Sequence, residues 1–142
     1  MSACLGGRKC RYDGSDNEDV RIVEMVENGD AVIFCPEEYC YGTPRPTMDL
    51  FLLDGDIRAL REGDLRDLTP CIVKYAKRFF DKYPDIEIVV GKDRSPSCGV
   101  KSAKLYDREG ELLSSMHDGI FIKEAKKRDI ECFGIESFKT EL

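Results

Sequence analysis

In residues 68–91, "LTPCIVKYAKRFFDKYPDIEIVVG", a helix pattern leads directly into a strand pattern, which is typical of an α/β protein. Apolar side chains recur at helical spacing in its first part, and Pro84 ends that pattern. Thr69 is predicted to cap the helix, and Pro70 suits its first turn. The apolar face consists of Ile72, Val73, Ala76, Phe79 and Phe80. Residues 85–91 are then predicted to form a strand that leads into a polar loop.

The same alternation of helix and strand extends in both directions. Upstream, residues 19–29 predict a helix that ends in Asn-Gly, and residues 30–37 predict a short buried strand closed by a proline. Downstream, Asp118 is predicted to cap a helix that runs to Arg128, and residues 129–136 predict the last strand. Such long connections exclude hairpins and favour right-handed crossovers between parallel strands. The 142 residues are therefore predicted to form a single α/β domain, an open, mostly parallel sheet flanked by helices in a Rossmann-like three-layer sandwich.

The remaining segments are predicted to be loops and turns. Residues 38–49 are rich in Gly and Pro and predict a loop. Residues 50–60 place Asp-Gly between apolar residues, which predicts a turn or a small hairpin, and residues 104–113 predict a turn-linked extended piece. The opening segment 1–7 stands where a first strand is expected, and it fits either a vestigial strand or a folded-over terminus.

Composition and charge narrow the function classes. Apolar residues make up 42% of the chain and charged residues 35%, which is typical of a soluble globular protein. No apolar run approaches the ~18 residues that span a bilayer. Residues 1–10 lack the apolar core of a signal peptide, so we expect a cytoplasmic protein without a membrane partner. The formal net charge of −6 disfavours an extended nucleic-acid surface and is compatible with a small ligand.

Seven cysteines are many for this length, and their spacing does not indicate a standard zinc site. Five residues separate Cys4 from Cys10 and four separate Cys35 from Cys40, so neither pair is a CxxC motif. In a cytosolic chain of this size, such cysteines favour metal or thiol chemistry over a disulfide framework. Two cysteines inside predicted elements are expected to be small buried hydrophobes, Cys71 and Cys132.

Cys4, Cys35 and Cys98 are predicted to meet at one edge of the sheet, because each lies in or beside a loop at a strand end. In open sheets of this kind, ligands bind beyond the carboxyl ends of the strands. The three are either unrelated loop thiols or a thiolate cage for zinc, copper(I) or an iron–sulfur cluster. A 4Fe-4S cluster usually takes four cysteines, so three would leave one iron with an open position. Cys10 and Cys40 are weaker candidates for a fourth ligand.

Four motifs resemble the ordered motifs of the thiouracil desulfidase family: "SACLGGRKCRYDG" (2–14), "CPEEYCYGTPRP" (35–46), "DRSPSCG" (93–99) and "HDGIF" (117–121). The resemblance spans nearly the whole chain and implies an open α/β fold with a 4Fe-4S cluster on Cys4, Cys35 and Cys98. It also implies that the open iron binds the sulfur removed from a thiolated nucleobase. The chain departs from the family pattern by starting almost at Ser2, where an apolar strand usually precedes. It also has Cys40 where glycine is usual, which leaves an extra ligand or a nearby redox thiol as alternatives.

The reaction expected from this resemblance is a desulfuration without net electron transfer. A thiocarbonyl sulfur is a soft donor, so an open iron that binds it withdraws electron density from the carbon that water then attacks. Glu37, two residues after Cys35, is the predicted proton carrier. Ser95 and Ser97 either hold the carbonyl of the base or hydrogen-bond the cluster sulfurs, unless they only shape the turn, and Ser95 is favoured for the substrate contact.

Other polar residues near the motifs have weaker assignments. Lys92 and Arg94 either offset the charge of the cluster or are solvated loop cations. Arg45, between two prolines, either contacts a ligand phosphate or braces its loop. His117, the single histidine, is expected to be structural.

Three alternatives stay open at the level of sequence. The same cluster can act on a different sulfur-containing small molecule. The protein can be an iron–sulfur carrier or redox sensor in which Cys10 or Cys40 completes the coordination. It can also be a cluster-free thiol enzyme with Cys98 as nucleophile. For the preferred function, the substrate is a thiolated base, nucleoside or nucleotide of the 2- or 4-thiouracil type, and the oligomeric state is undetermined.

Overall fold

The computed structural model describes residues 20–42 and 47–141. Within these ranges helices and strands alternate along the chain in the order α1 (Val20–Glu27), α2 (Pro36–Tyr41), β1 (Met48–Leu53), β2 (Asp56–Arg61), α3 (Thr69–Lys82), β3 (Ile88–Gly91), β4 (Ala103–Tyr106), β5 (Leu112–His117), α4 (Ile120–Lys127), β6 (Glu131–Gly134) and α5 (Ile135–Glu141). Every helix in this part of the chain is too short or too polar to serve as a membrane span.

The strands combine parallel and antiparallel pairing. One sheet has the order β2-β1-β4-β5, in which β1 and β4 are parallel, while β1–β2 and β4–β5 are antiparallel hairpins. In the second sheet, β3 and β6 pair in parallel from Ile88↔Glu131 to Gly91↔Gly134. The predicted α/β class is confirmed, and each parallel pair is joined through helical crossovers. The antiparallel pairs arise because both predicted turns form complete hairpins.

The α3–β3 unit forms where the opening stretch predicts it, with a different cap. Asp67 Oδ1 accepts the backbone N–H of Thr69 at 3.0 Å, so Asp67 provides a hydrogen-bond acceptor for a free N–H group at the start of the helix. The Thr69 hydroxyl instead accepts the Ala59 N–H at 2.8 Å, which ties α3 to β2. The prediction that Thr69 caps this helix is therefore wrong. Pro70 occupies the first turn, and α3 ends at Lys82 as expected.

An aromatic cluster between α3 and α4 forms the centre of the main core. Phe34 stacks on Phe121 with ring centroids 4.2 Å apart, and Phe79 packs edge-on against both rings. Burying an aromatic side chain of this size contributes about 1.5–3 kcal/mol. A smaller cluster lies under α1 and α5 and consists of Ile22, Val90, Ile135 and Phe138. The main cluster fixes Phe34, which directly precedes Cys35.

Two element assignments differ from the predictions on the amino-terminal side. Within residues 30–37 only Phe34 makes a strand-type bridge, and the chain enters α2 at Pro36. This start is favourable because Pro36 suits the first helical turn and Glu37 and Glu38 complement the helix dipole. The predicted loop 38–49 therefore contains most of α2 and the start of β1.

Two further differences lie on the carboxyl-terminal side. Gly119, rather than Asp118, occupies the cap position of α4. The Asp118 carboxylate accepts the Lys101 backbone N–H at 2.9 Å and the Lys126 ammonium at 2.7 Å, so tertiary partners replace the cap. The last strand is shorter than predicted, because helix α5 begins directly after it.

Candidate functional site

The Cys98 loop follows β3 in the chain, and in space it packs against the start of α4. The carbonyl of Ser97 accepts the Phe121 N–H at 2.9 Å, and the carbonyl of Pro96 accepts the Ile120 N–H at 3.1 Å. These amides belong to the first turn of α4 and would otherwise lack helical partners. The loop carbonyls therefore accept the free N–H groups at the start of the helix, and these hydrogen bonds hold the backbone directly before Cys98.

Two glycines allow the backbone of this loop to approach its neighbours. A Cβ atom on Gly119 would overlap the Ser97 carbonyl and approach the Cys98 nitrogen to 2.7 Å. A Cβ atom on Gly91 would overlap the Cys98 carbonyl oxygen. Such contacts are closer than side chains tolerate, so both positions require glycine. The sequence "HDGIF" (117–121) thus contributes a packing surface for the Cys98 loop.

Ser95 organises the loop through its hydroxyl. Its Oγ accepts the backbone N–H of Ser97 at 3.3 Å and that of Cys98 at 3.1 Å. Its Oγ also lies 3.2 Å from Ser97 Oγ. Because two backbone amides already donate to Ser95 Oγ, the hydroxyl can still donate its own proton to another acceptor. The predicted turn role of Ser95 is therefore visible, and its substrate contact stays a prediction.

Ser97 joins the Cys98 loop to helix α2. Its side chain is 1% exposed, and its hydroxyl donates to Glu37 Oε2 at 2.6 Å. The same hydroxyl lies 3.4 Å from the sulfur of Cys98, which is itself 6% exposed. Glu37 and Cys98, 61 positions apart in the chain, therefore contact the same hydroxyl group. Glu37 thus contacts the Cys98 loop through a serine whose bridging position was not predicted, and its role as proton carrier stays a prediction.

Cys35 is the residue that precedes α2, and α3 fixes its backbone. The Cys35 N–H donates to the Tyr75 hydroxyl at 3.1 Å, and the Cys35 side chain is half-buried. Tyr75 was missed by the sequence analysis because it lies beside the apolar face of α3 rather than in a motif. Tyr75 lies one helical turn after Cys71, and this spacing is the sequence feature that could have placed both residues on the same side of α3.

Cys40 and Cys71 form a disulfide between α2 and α3, with their Cα atoms 6.0 Å apart. The prediction that Cys71 is a simple buried hydrophobe is therefore wrong, because the packing of α2 on α3 brings a second cysteine next to it. While this disulfide is formed, Cys40 cannot bind a metal, because cysteine binds metals as a free thiolate. Both cysteines are half-buried.

Cys132 behaves as expected for a structural cysteine. It lies on β6, packs against the main core and donates to the Ile130 carbonyl at 3.4 Å. Burial raises the pKa of its thiol to about 11. A thiol of this kind stays protonated and unreactive at neutral pH.

Of the two cationic residues in the Cys98 loop, Lys92 has a described side-chain contact with the backbone. Lys92 Nζ donates to the Asp93 carbonyl at 3.1 Å, and the exposed Arg94 has a left-handed backbone with φ 68°. The Asp93 carboxylate accepts the Glu136 N–H at 3.0 Å and so satisfies the start of α5. His117 is half-buried at the end of β5, and its expected structural role stays a prediction.

Three residues with predicted roles lie outside the described residues: Cys4, Cys10 and Arg45. Across residues 20–42 and 47–141, His, Cys, Asp and Glu side chains form no group of three or more that would hold a metal ion. The structure thus describes two of the three predicted cysteine ligands, Cys35 and Cys98.

Comparison with known proteins identifies related chains. A sequence model of the 2-thiouracil desulfurase family matches residues 1–137. The uncharacterized protein YbbK of Bacillus subtilis (strain 168) is 31% identical over 108 residues, which cover 70% of this chain and 71% of that protein. The solved structure of TudS, described as a [4Fe-4S]-dependent thiouracil desulfidase, superposes with a TM-score of 0.74 and 26% identity, and the match covers 98% of this chain and 91% of TudS.

Proposed function

Because the chain belongs to the 2-thiouracil desulfurase family, we propose that it hydrolyses a thiolated uracil, as base, nucleoside or nucleotide, to the oxygenated base and sulfide. The chain is an enzyme of the desulfidase class. The observation that carries the finer proposal is the bond between Ser97 and Glu37, since it brings a carboxylate to the Cys98 loop. Water supplies the carbonyl oxygen, and its two protons leave with the sulfur, so the reaction balances without electron transfer.

The donor set is suited to a 4Fe-4S cluster, the cofactor named for TudS. Cys98 is buried, and Cys35 is on the adjoining segment, because Glu37, two residues further, contacts Ser97. We infer that the thiolates of Cys35 and Cys98, together with Cys4, hold the cluster. When bound, the cluster supplies an open Lewis-acid position for a soft sulfur ligand.

Glu37 is proposed to hold and move the proton. Its Oε2 accepts the Ser97 hydroxyl at 2.6 Å, a length typical of an O–H donor with a carboxylate acceptor. From this position the carboxylate accepts a proton from the attacking water and returns it to the departing sulfur. Ser97 is then a positioning residue, because its buried hydroxyl holds the carboxylate in place.

Ser95 is proposed to orient the substrate. Two amides occupy the acceptor side of its hydroxyl, so the hydroxyl has one proton to offer. That proton can turn from Ser97 Oγ, 3.2 Å away, to a carbonyl oxygen of the bound base. Contact with a carbonyl oxygen would favour uracil-type bases over fully reduced or apolar sulfur compounds.

The disulfide bears on the alternative in which the protein carries a cluster on four cysteines. With Cys40 bonded to Cys71, the Cys40 sulfur has no thiolate to offer a metal. The disulfide therefore argues against Cys40 as the fourth ligand, and Cys10, the other candidate, lies outside the described residues.

The test is anaerobic reconstitution of the full chain with iron and sulfide, followed by incubation with 2-thiouracil and with 4-thiouridine monophosphate. We expect about four irons per chain and the release of one sulfide for each oxygenated base formed. A protein that holds the cluster and releases sulfide from neither compound would overturn the proposal. Cys98→Ser should lose iron, whereas the control Cys132→Ser should retain both iron and activity.

A further inference from the structure

One stripe of α3 holds α2 in place. Cys71, Tyr75 and Arg78 are spaced four and three residues apart, so they lie on the same side of the helix. Cys71 bonds to Cys40 near the end of α2. Tyr75 accepts the N–H of Cys35 at the start of α2.

Tyr39 supplies a weaker contact between the same helices. Its ring centroid lies 5.0 Å from that of Tyr75, and its hydroxyl accepts from Arg78 at 3.3 Å. The Tyr39 side chain is 58% exposed, so these contacts are largely in solvent. The disulfide is therefore the strongest of the described links from α2 to α3.

Helix α2 depends on such links because it contains only six residues, Pro36–Tyr41. Isolated helices of this length are unstable in water, so packing must supply the stability. Pro36 is the fully buried residue of α2, Cys40 and Tyr41 pack partly buried against the main core, and Glu37 bonds to Ser97. The covalent bond at Cys40 adds to these non-covalent contacts, so opening it should make local opening of α2 more frequent.

We propose that Cys40 and Cys71 form a reversible redox site, opened by small thiols and closed by small disulfides, that controls how firmly α2 is held against α3. Because α2 begins directly after Cys35 and contains Glu37, opening the bond loosens the two residues that α2 brings to the site. This last consequence rests on the proposed function.

The exchange chemistry follows from the positions of the two sulfurs. Cys71 lies in the first turn of α3, where the helix dipole stabilises a thiolate and makes it the better leaving group. A reagent thiolate attacks Cys40 Sγ, the S–S bond breaks, and its electron pair goes to Cys71. A second reagent thiolate then resolves the mixed disulfide on Cys40. The net reaction converts two reagent thiols and the protein disulfide into one reagent disulfide and two protein thiols.

The proposal requires that a small thiol reaches the disulfide, and a matched control lies elsewhere in the chain. Neither Cys40 nor Cys71 is fully buried. Cys132 is half-buried as well, but its protonated thiol should not exchange.

The experiment equilibrates the full-length apoprotein in anaerobic glutathione buffers of graded redox ratio, then alkylates it and maps each cysteine by peptide mass spectrometry. We expect Cys40 and Cys71 to change together in one two-electron transition, while Cys132 is alkylated under denaturing conditions at every ratio. Amide hydrogen exchange in residues 37–42 should be about tenfold faster in the reduced protein, with α4 unchanged.

Independent behaviour of the two cysteines, or equal exchange rates of α2 in both redox states, would overturn the proposal. The double variant Cys40→Ser/Cys71→Ser should exchange like the reduced protein in every buffer. None of these measurements needs the cluster, so their failure is distinct from failure of the desulfidase proposal. In the reconstituted protein, reduction should raise the rate at which a chelator removes iron.

Discussion

Replacing Ser97 with alanine should release Glu37 from the Cys98 loop. The hydroxyl is 1% exposed and donates to Glu37 Oε2 at 2.6 Å. A bond to a charged group of this kind contributes about 1.5–3 kcal/mol. Each 1.4 kcal/mol corresponds to about a tenfold change in rate, so loss of the whole contribution from the transition state lowers kcat by about 10- to 150-fold. KM should change little, because the bond positions a proton carrier rather than the substrate.

The assay is sulfide release by the reconstituted enzyme, compared among Ser97→Ala, Glu37→Gln and the double variant. If the serine acts only by positioning Glu37, the double variant is no slower than Glu37→Gln alone. All three proteins should retain their visible iron–sulfur absorption, which separates loss of catalysis from loss of the cluster.

Normal kcat in Ser97→Ala together with an inactive Glu37→Gln would refute the positioning role. Multiplicative losses in the double variant would refute it as well, since independent residues show that behaviour. Ser95→Ala gives a contrast, because it keeps the Ser97 hydroxyl and removes the hydroxyl proposed to orient the substrate, so it should raise KM where Ser97→Ala does not.

Three further predictions concern the supports of the site. Breaking the Cys40–Cys71 disulfide removes a cross-link between residues 31 apart; this costs about 4 kcal/mol in the loop-entropy treatment and should lower the Tm of the apoprotein by about 10 °C in calorimetry. Gly119→Ala should displace the Cys98 loop and reduce iron retention. The control is Gly110→Ala, where an added Cβ contacts nothing within 4 Å; its φ angle of +86° should cost about 1 kcal/mol of stability, and the protein should keep its iron. Because the folded pKa of Cys132 is raised from 9.0 to about 11, its contribution to stability is complete below pH 9 and is lost as the pH rises toward 11. Urea unfolding of Cys132→Ala should therefore show a weaker loss of stability across that pH range.

The sequence was most informative where local patterns agree with tertiary packing. The α3–β3 unit was predictable because its apolar spacing and its flanking prolines are local features that the core preserves. The hairpin formed by β1 and β2 was likewise indicated by Asp54-Gly55, since both residues have the positive φ angles that such turns need.

Side chains that can bond to more than one partner were less predictable. Thr69 and Asp118 both match the residue types that cap helices, but their oxygens bond to Ala59 and to Lys101 and Lys126 instead. Local rules list the acceptors that a side chain can satisfy, and the fold decides which donor lies nearest.

Contacts across long separations were the least accessible to sequence reasoning. The Cys40–Cys71 bond depends on α2, a helix hidden in a segment whose Gly and Pro content predicts a loop. The bond from Ser97 to Glu37 spans 60 residues, so no local spacing could assign it. The family resemblance implied one site for Cys35 and Cys98, and Glu37 was chosen because it lies two residues after Cys35, but neither argument identified the serine hydroxyl that Glu37 and Cys98 share.

Phe121 explains why the two halves of the site meet. Its backbone N–H donates to the Ser97 carbonyl at 2.9 Å, next to Cys98. Its ring stacks at 4.2 Å on Phe34, the residue before Cys35. One fully buried residue at the start of α4 is therefore bonded to one cysteine segment and packed against the other. Because protein interiors resist compression, a shift of either segment would be transmitted through this ring to the other. The hydrophobic core thus brings the two cysteine segments together, and the bond between Ser97 and Glu37 and the Cys40–Cys71 disulfide determine how firmly α2 is held there.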